Sequence, residues 1–212
     1  MEILKVGKNN FDEAVGRAVE VLKNCGVVVV PTDTVYGLAA DAGNEKAVRK
    51  VFEIKGRVKD KKLPVFVSSL EMLSPSPNSV LPEPSSDLER EGRLGGFLKK
   101  VWPGKITCVF NAKNGGTIGV RMPNHDLVLK IIEKFGGPIT GTSANVSGKP
   151  EHTKIDELIK EFKGLKVKPD LILDAGDLPP SKPSTVLDCT IWPPKILREG
   201  AVSKEELEKL QL

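Results

Sequence analysis

The sequence predicts an α/β fold, a single domain with a twisted mixed β-sheet and flanking helices. Three observations carry that expectation. Short runs of β-branched or alternating apolar residues are interleaved with stripes at helical spacing along the chain. The 212 residues are 39% hydrophobic and 28% charged, the balance of a globular chain with a real core rather than of a disordered one. No linker divides the chain and no internal repeat is visible, so one domain over residues 1–212 is expected.

The elements follow in order. Phe11, Val15, Ala18, Leu22 and Cys25 recur at helical spacing, and Gly26 stands where a helix would stop. Val27 to Val30 reads as a strand covered on both faces. It runs into a polar loop, Pro31 to Leu38, and α/β proteins place ligand contacts at such strand ends. Asn44 is an N-cap for a helix whose apolar face is Ala47, Val48, Val51 and Phe52 and whose other face carries Lys46, Arg49 and Lys50. Leu63 to Val67 is a further strand, Ile106, Cys108 and Phe110 alternate as a half-buried one, and Thr117 to Arg121 is a third.

Leu127, Val128, Ile131, Ile132 and Phe135 form a helical stripe ended by Gly136-Gly137-Pro138, before a strand that delivers Thr142 to Asn145. Ile155, Leu158, Ile159 and Phe162 repeat the helical pattern. Leu171 to Leu173, Thr185 to Asp188 and Ile196 to Arg198 are short strands, and Ser203 with Glu206 is a capping box opening a last helix. The proline- and serine-rich segment 74–86 reads as a surface loop.

Several function classes are excluded or disfavoured. No apolar run reaches the roughly 20 residues of a membrane span, and Met1-Glu2 opens no signal-type segment, so a cytoplasmic protein without membrane association is expected. Cys25, Cys108 and Cys189 lie far apart with only His125 and His152 to join them, so no metal site or disulfide framework is indicated and buried thiols are expected. There is no P-loop, no dinucleotide-binding glycine fingerprint, no nucleophile elbow and no triad pattern. Between residues 46 and 62 eight basic residues face only Glu53 and Asp60. A solvated face would explain them, but Lys55-Gly56-Arg57 sits near a helix end where cations converge on an anion such as polyphosphate or an RNA backbone. Ser143, Asn145, Ser147 and Gly148 form a turn able to bind phosphate or carboxylate oxygens.

Taken together, Pro31 to Leu38, Lys55-Gly56-Arg57, Trp102-Pro103-Gly104, Thr117 to Pro123, Ser143 to Gly148, Ser184-Thr185-Val186 and Leu197 to Gly200 resemble, in order, the YrdC-like threonylcarbamoyl-AMP synthases in their single-domain form. The resemblance implies a YrdC-like α/β domain with a concave basic surface. It implies a nucleotidyltransferase that converts L-threonine, bicarbonate and ATP, with Mg2+, into threonylcarbamoyl-AMP and pyrophosphate. The product serves threonylcarbamoyladenosine formation at position 37 of tRNA, through a downstream threonylcarbamoyl transferase complex.

By the same resemblance Thr34, Arg121, Ser143 and Ser184 contact threonine, and Arg57, Lys61, Thr117, Asn145, Thr153 and Arg198 contact ATP. Lys55 joins Arg57 as a catalytic cation at the phosphates, and no protein ligand holds a metal. That assignment is chemically sensible, since Arg121 can take a carboxylate in bidentate fashion and the nucleophile, a carbamate oxygen, comes from the substrate. The protein then needs positioning and charge neutralisation but no nucleophile of its own.

Two departures stand out. Val58 and Phe66 occupy positions where many relatives carry Pro and, in longer forms, His, so a threonine contact from that His is lost. Longer relatives also append a second domain, and this chain is expected to do without it. The resemblance also permits tRNA or double-stranded RNA contact, so an RNA-binding module without nucleotide chemistry is the alternative, and a carbamoyl-adenylate former of the hydrogenase-maturation type is a third reading.

Overall fold

The computed structural model describes residues 1–57, 63–73, 88–112 and 115–209. In chain order the elements are β1 (Glu2–Lys5), α1 (Phe11–Lys23), β2 (Val28–Val30), β3 (Gly37–Ala39), α2 (Glu45–Lys55), β4 (Val65–Phe66), α3 (Leu88–Val101), β5 (Ile106–Asn111) and β6 (Thr117–Arg121). Then come α4 (Asp126–Phe135), β7 (Ile139–Thr140), β8 (Thr142–Ser143), α5 (Ile155–Lys163), β9 (Leu171–Asp174), β10 (Thr185–Asp188), β11 (Lys195–Arg198) and α6 (Lys204–Glu208).

The α/β class and the mixed strand directions are as expected, but the strands form two sheets instead of one. The first has the order β1-β9-β2-β3-β8 and the second β11-β10-β5-β6-β4-β7. One strand run crosses between them. β7 pairs with β4 in the second sheet, β8 pairs with β3 in the first, and Gly141 is the single residue between. A Cβ at Gly141 would collide with the Phe66 ring, so the crossing demands the missing side chain.

Each sheet buries its faces differently. Val28 and Val30 of β2 join α1 and α4 in one core cluster, while Val27 and Val29 join α2 and α5 in another. The valine run is therefore covered on both faces, as its unbroken apolarity implies. In the second sheet Ile106, Cys108, Phe110, Ile118, Val120 and Leu187 pack against Phe97, Leu98 and Val101 of α3. The intervening Thr107, Val109, Thr117, Gly119, Arg121 and Val186 line a cavity instead. The two-residue period of these strands thus places one residue set in a core and the alternate set on an open floor.

Some expectations change. α1 ends at Lys23, and the left-handed residue after it is Cys25 with φ 59°, not Gly26. Gly26 is required for a different reason, because a Cβ there would lie 2.8 Å from the Val21 carbonyl oxygen. Cys25 is half-exposed and receives an N–H of Asn44 at 3.1 Å, whereas Cys108 and Cys189 are buried. The strand expected over Leu63 to Val67 shortens to β4. β1, β3 and α3 were not anticipated: β1 is short and exposed, β3 is Gly-Leu-Ala, and α3 holds Gly92, Gly95 and Gly96, poor helix formers that blur its stripe. Lys61 and the loop expected over 74–86 lie outside the described residues. Among the described residues no helix is long and apolar enough to cross a membrane.

Candidate functional site

The floor of the second sheet, the β2–β3 loop and the segment after β8 enclose a cavity of about 930 Å³. Thr34, Lys55, Arg57, Thr117, Arg121, Ser143, Asn145, Ser184 and Arg198 all line it. Nine of the residues singled out in the sequence, scattered from 34 to 198, therefore share one concavity. Thr153 is not among its lining residues. The Thr153 carbonyl accepts from Leu178 N at 2.8 Å, just before α5.

Arg121 ends β6 and is 4% exposed. Its Nε donates to the Gly104 carbonyl at 2.9 Å, one terminal nitrogen to Thr34 Oγ1 at 2.9 Å and the other to Asp33 Oδ1 at 2.5 Å. The Phe66 ring covers the guanidinium with its centroid 5.9 Å from Cζ. Burial presses the Arg121 pKa down, while Asp33 supports its charge. Three of five N–H groups are thus held by protein, and two remain to meet a carboxylate.

Asp33 was absent from the sequence-derived site. Its signal was present, because a buried arginine needs a counter-charge and Asp33 adjoins Thr34 in the same polar loop. Trp102-Pro103-Gly104, which the sequence marked without a role, supplies the carbonyl that holds Arg121 Nε, and Trp102 Nε1 pins that turn by donating to Ile106 O at 2.7 Å.

Lys55 is the last residue of α2. At 4% exposure, its ammonium donates to Ser143 O at 2.7 Å, Asn145 O at 3.0 Å and Asn145 Oδ1 at 2.9 Å. Its three protons go to Ser143, the last residue of β8, and to Asn145 just beyond it, so Lys55 holds the turn that presents Asn145 to the cavity. Burial first, and then Arg57 nearby, pull its pKa from 10.5 down to about 8. Glu161 of α5 accepts from Val146 N at 2.7 Å, so a buried cation and a carboxylate both hold this segment.

Arg198 closes β11, and its guanidinium donates to Ser184 O at 2.7 Å. Gly200 permits this, because a Cβ there would strike the Pro183 carbonyl oxygen. With Lys149, five cationic side chains line the cavity among the described residues, against the single carboxylate of Glu151. Low-dielectric walls and one sign of charge favour a polyanionic ligand. No group of three or more His, Cys, Asp or Glu able to hold a metal is present among the described residues.

These features define an α/β protein with a cation-rich cleft between two sheets, suited to an anionic ligand at one end and a carboxylate at the other. The chain belongs to the Sua5/YciO/YrdC family, whose model, described as "Telomere recombination", matches residues 20–200. A threonylcarbamoyl-AMP synthase from Pyrococcus abyssi is 39% identical over 193 residues, with 87% of this chain and 53% of that protein covered. The Bacillus subtilis threonylcarbamoyl-AMP synthase is 34% identical, with 93% and 56% covered. The chain spans about half the length of these two relatives. Among solved structures, Pyrococcus abyssi Sua5 complexed with L-threonine superposes with a TM-score of 0.85 at 34% identity, covering 99% of this chain and 61% of that one. Escherichia coli YciO, at 24% identity and TM-score 0.76, shares the fold.

Proposed function

We propose that this chain is a threonylcarbamoyl-AMP synthase, forming threonylcarbamoyl-AMP and pyrophosphate from L-threonine, bicarbonate and ATP. The observation that carries the reading is the meeting of two residue sets in one cavity. Arg121, Thr34, Ser143 and Ser184 offer a carboxylate clamp with small hydroxyls, and Arg57, Asn145, Thr117 and Arg198 offer groups suited to nucleotide phosphates. The similarity to threonylcarbamoyl-AMP synthases and the fold match to a threonine complex support it.

On this reading the neutral amino group of threonine attacks the carbon of bicarbonate, one C–O bond breaks, and the oxygen leaves as water with a proton from the amine. An oxygen of the resulting carbamate then attacks the α-phosphorus of ATP, and the bond from that phosphorus to the departing pyrophosphate breaks. The nucleophile belongs to the substrate. The protein orients the carbamate through Arg121 and steadies charge on the departing phosphates through Arg57 and Arg198, in a site shaped before the ligand arrives. Lys55 acts one step back, by holding Asn145. Lys61 and Thr153 stay proposed nucleotide contacts from the resemblance, and magnesium would enter with the phosphates of ATP. The product would pass, in the cytoplasm, to a threonylcarbamoyl transferase complex acting on adenosine 37 of tRNA, and direct tRNA contact belongs to the same proposal.

The test is incubation with ATP, bicarbonate and single amino acids, with detection of pyrophosphate and adenylate. Threonine should support turnover well above serine or valine. Valine leaves buried polar groups unpaired, and serine loses a methyl contact worth on the order of 1 kcal/mol. Equal turnover with all three, or none with threonine, overturns the reading.

A further inference from the structure

Counting hydroxyl protons separates three side chains that look alike in sequence. A serine or threonine hydroxyl has one proton to donate and two lone pairs to accept with. Thr32 Oγ1 donates to the Val35 carbonyl at 2.7 Å, so its 3.0 Å contact with Thr34 Oγ1 takes the proton of Thr34. Thr34 Oγ1 also receives an N–H of Arg121, which leaves it one lone pair and no donor. Ser143 Oγ donates to Asn145 Oδ1 at 2.7 Å. That carboxamide is fixed the right way round, because its Nδ2 donates to Lys149 O at 2.6 Å and its Oδ1 accepts from Lys55. Ser143, like Thr34, can only accept from a ligand.

Ser184 differs. Its Oγ lies 2.8 Å from Thr107 Oγ1, a contact in which either oxygen can donate. Two linked hydroxyls hold two protons and spend one, so one is left for a ligand. Both residues line the cavity and both are buried, Thr107 at 6% and Ser184 at 9% exposure. Thr107 is held by β5, whose partner β10 sets Val186 beside it, and its methyl lies against Gly119, where a Cβ would come within 3.2 Å.

We infer that Thr107 is a positioning residue of the amino-acid site: its hydroxyl donates to Ser184 Oγ and so directs the Ser184 proton to an oxygen of the bound amino acid or of its carbamate. The inference rests on the proposed function. It divides the hydroxyls by role, with Thr34 and Ser143 taking protons from the ammonium or hydroxyl of the substrate and Ser184 giving one to an oxygen. A hydrogen bond received by Ser184 strengthens the one it gives.

The experiment measures threonine and ATP dissociation constants separately for wild type, Thr107→Val and Thr107→Ser. Thr107→Val should weaken threonine binding roughly tenfold, the worth of one hydrogen bond. Thr107→Ser should stay within about twofold of wild type, since the donor is restored, and ATP binding should not change in either. Added to Ser184→Ala, Thr107→Val should cost little more, because Thr107 acts through Ser184. Unaltered threonine affinity in Thr107→Val, equal impairment by Val and Ser, or a parallel loss of ATP affinity each overturns the inference. Should Thr107→Val not fold, Thr107→Ala compared with Thr107→Ser asks the same question. A wild-type protein that binds ATP but not threonine overturns the amino-acid assignment and this inference with it, whereas threonine binding with a silent Thr107→Val overturns the role of Thr107 alone.

Discussion

Lys55 shows how one buried cation can organise the residues around it. Its pKa is lowered on folding, so above about 8 the folded chain releases a proton that the unfolded chain still holds up to the ordinary lysine value of 10.5. The unfolded state then binds more protons, and the Lys55 contribution to stability rises with pH across that window. Activity should move the other way, because a neutral amine has fewer donors for Ser143 and Asn145. Thermal melts of wild type and Lys55→Met compared across that window should show the wild type gaining relative stability, while ATP-dependent turnover of the wild type declines. A relative loss of stability with rising pH contradicts the assignment of burial as the dominant cause. Gly141 makes a second residue-scale case. Gly141→Ala must displace the Phe66 ring, which also covers Arg121, so the melting temperature should fall with a cost of about 1–3 kcal/mol and the threonine KM should rise. A raised KM at unchanged ATP KM is the outcome that ties the crossing to the amino-acid end.

Among the elements, α2 links local sequence to the site most directly. Asn44 caps it by accepting from Lys46 N at 3.0 Å and Ala47 N at 3.1 Å, and Gly56 ends it in the left-handed region at φ 58°. Between these signals the helix carries Lys55 to the segment after β8. Asn44→Ala should cost about 1 kcal/mol, visible as a drop of roughly 2–4 °C in melting temperature for a chain of this size. Turnover at saturating ATP should be nearly unchanged, since the cap lies at the opposite end of the helix. A large fall in turnover with an intact melting temperature would mean that Asn44 acts at the site itself.

At the scale of the whole molecule the cavity is a junction. Its floor belongs to one sheet, its β2–β3 loop and β8 to the other, and Gly141 connects them. A ligand held by both sheets binds the folded state alone, and at a hundredfold excess over Kd it adds about 2.7 kcal/mol of stability. Threonine and ATP should therefore each raise the melting temperature. Arg121→Lys should abolish the threonine shift and keep most of the ATP shift, because an ammonium cannot span Asp33, Thr34 and a carboxylate as a forked guanidinium does. Loss of both shifts together would show that Arg121 holds the junction rather than the amino acid.

The sequence alone determined the elements whose signals are local: the periodic stripes of α1, α2, α4 and α5, the doubly covered valines of β2, and the capping box of α6. Its ordered motifs also marked most of the cavity, from Thr34 to Arg198. Tertiary structure decided what those residues are committed to. Arg121 and Asp33 are 88 positions apart, Lys55 and Asn145 90, and Thr107 and Ser184 77. Periodicity reports that a face is buried but not by what, because it arises within a few residues of one chain segment. Whether a hydroxyl or an ammonium still has a proton to give depends on acceptors that only the folding of distant strands brings within hydrogen-bond reach.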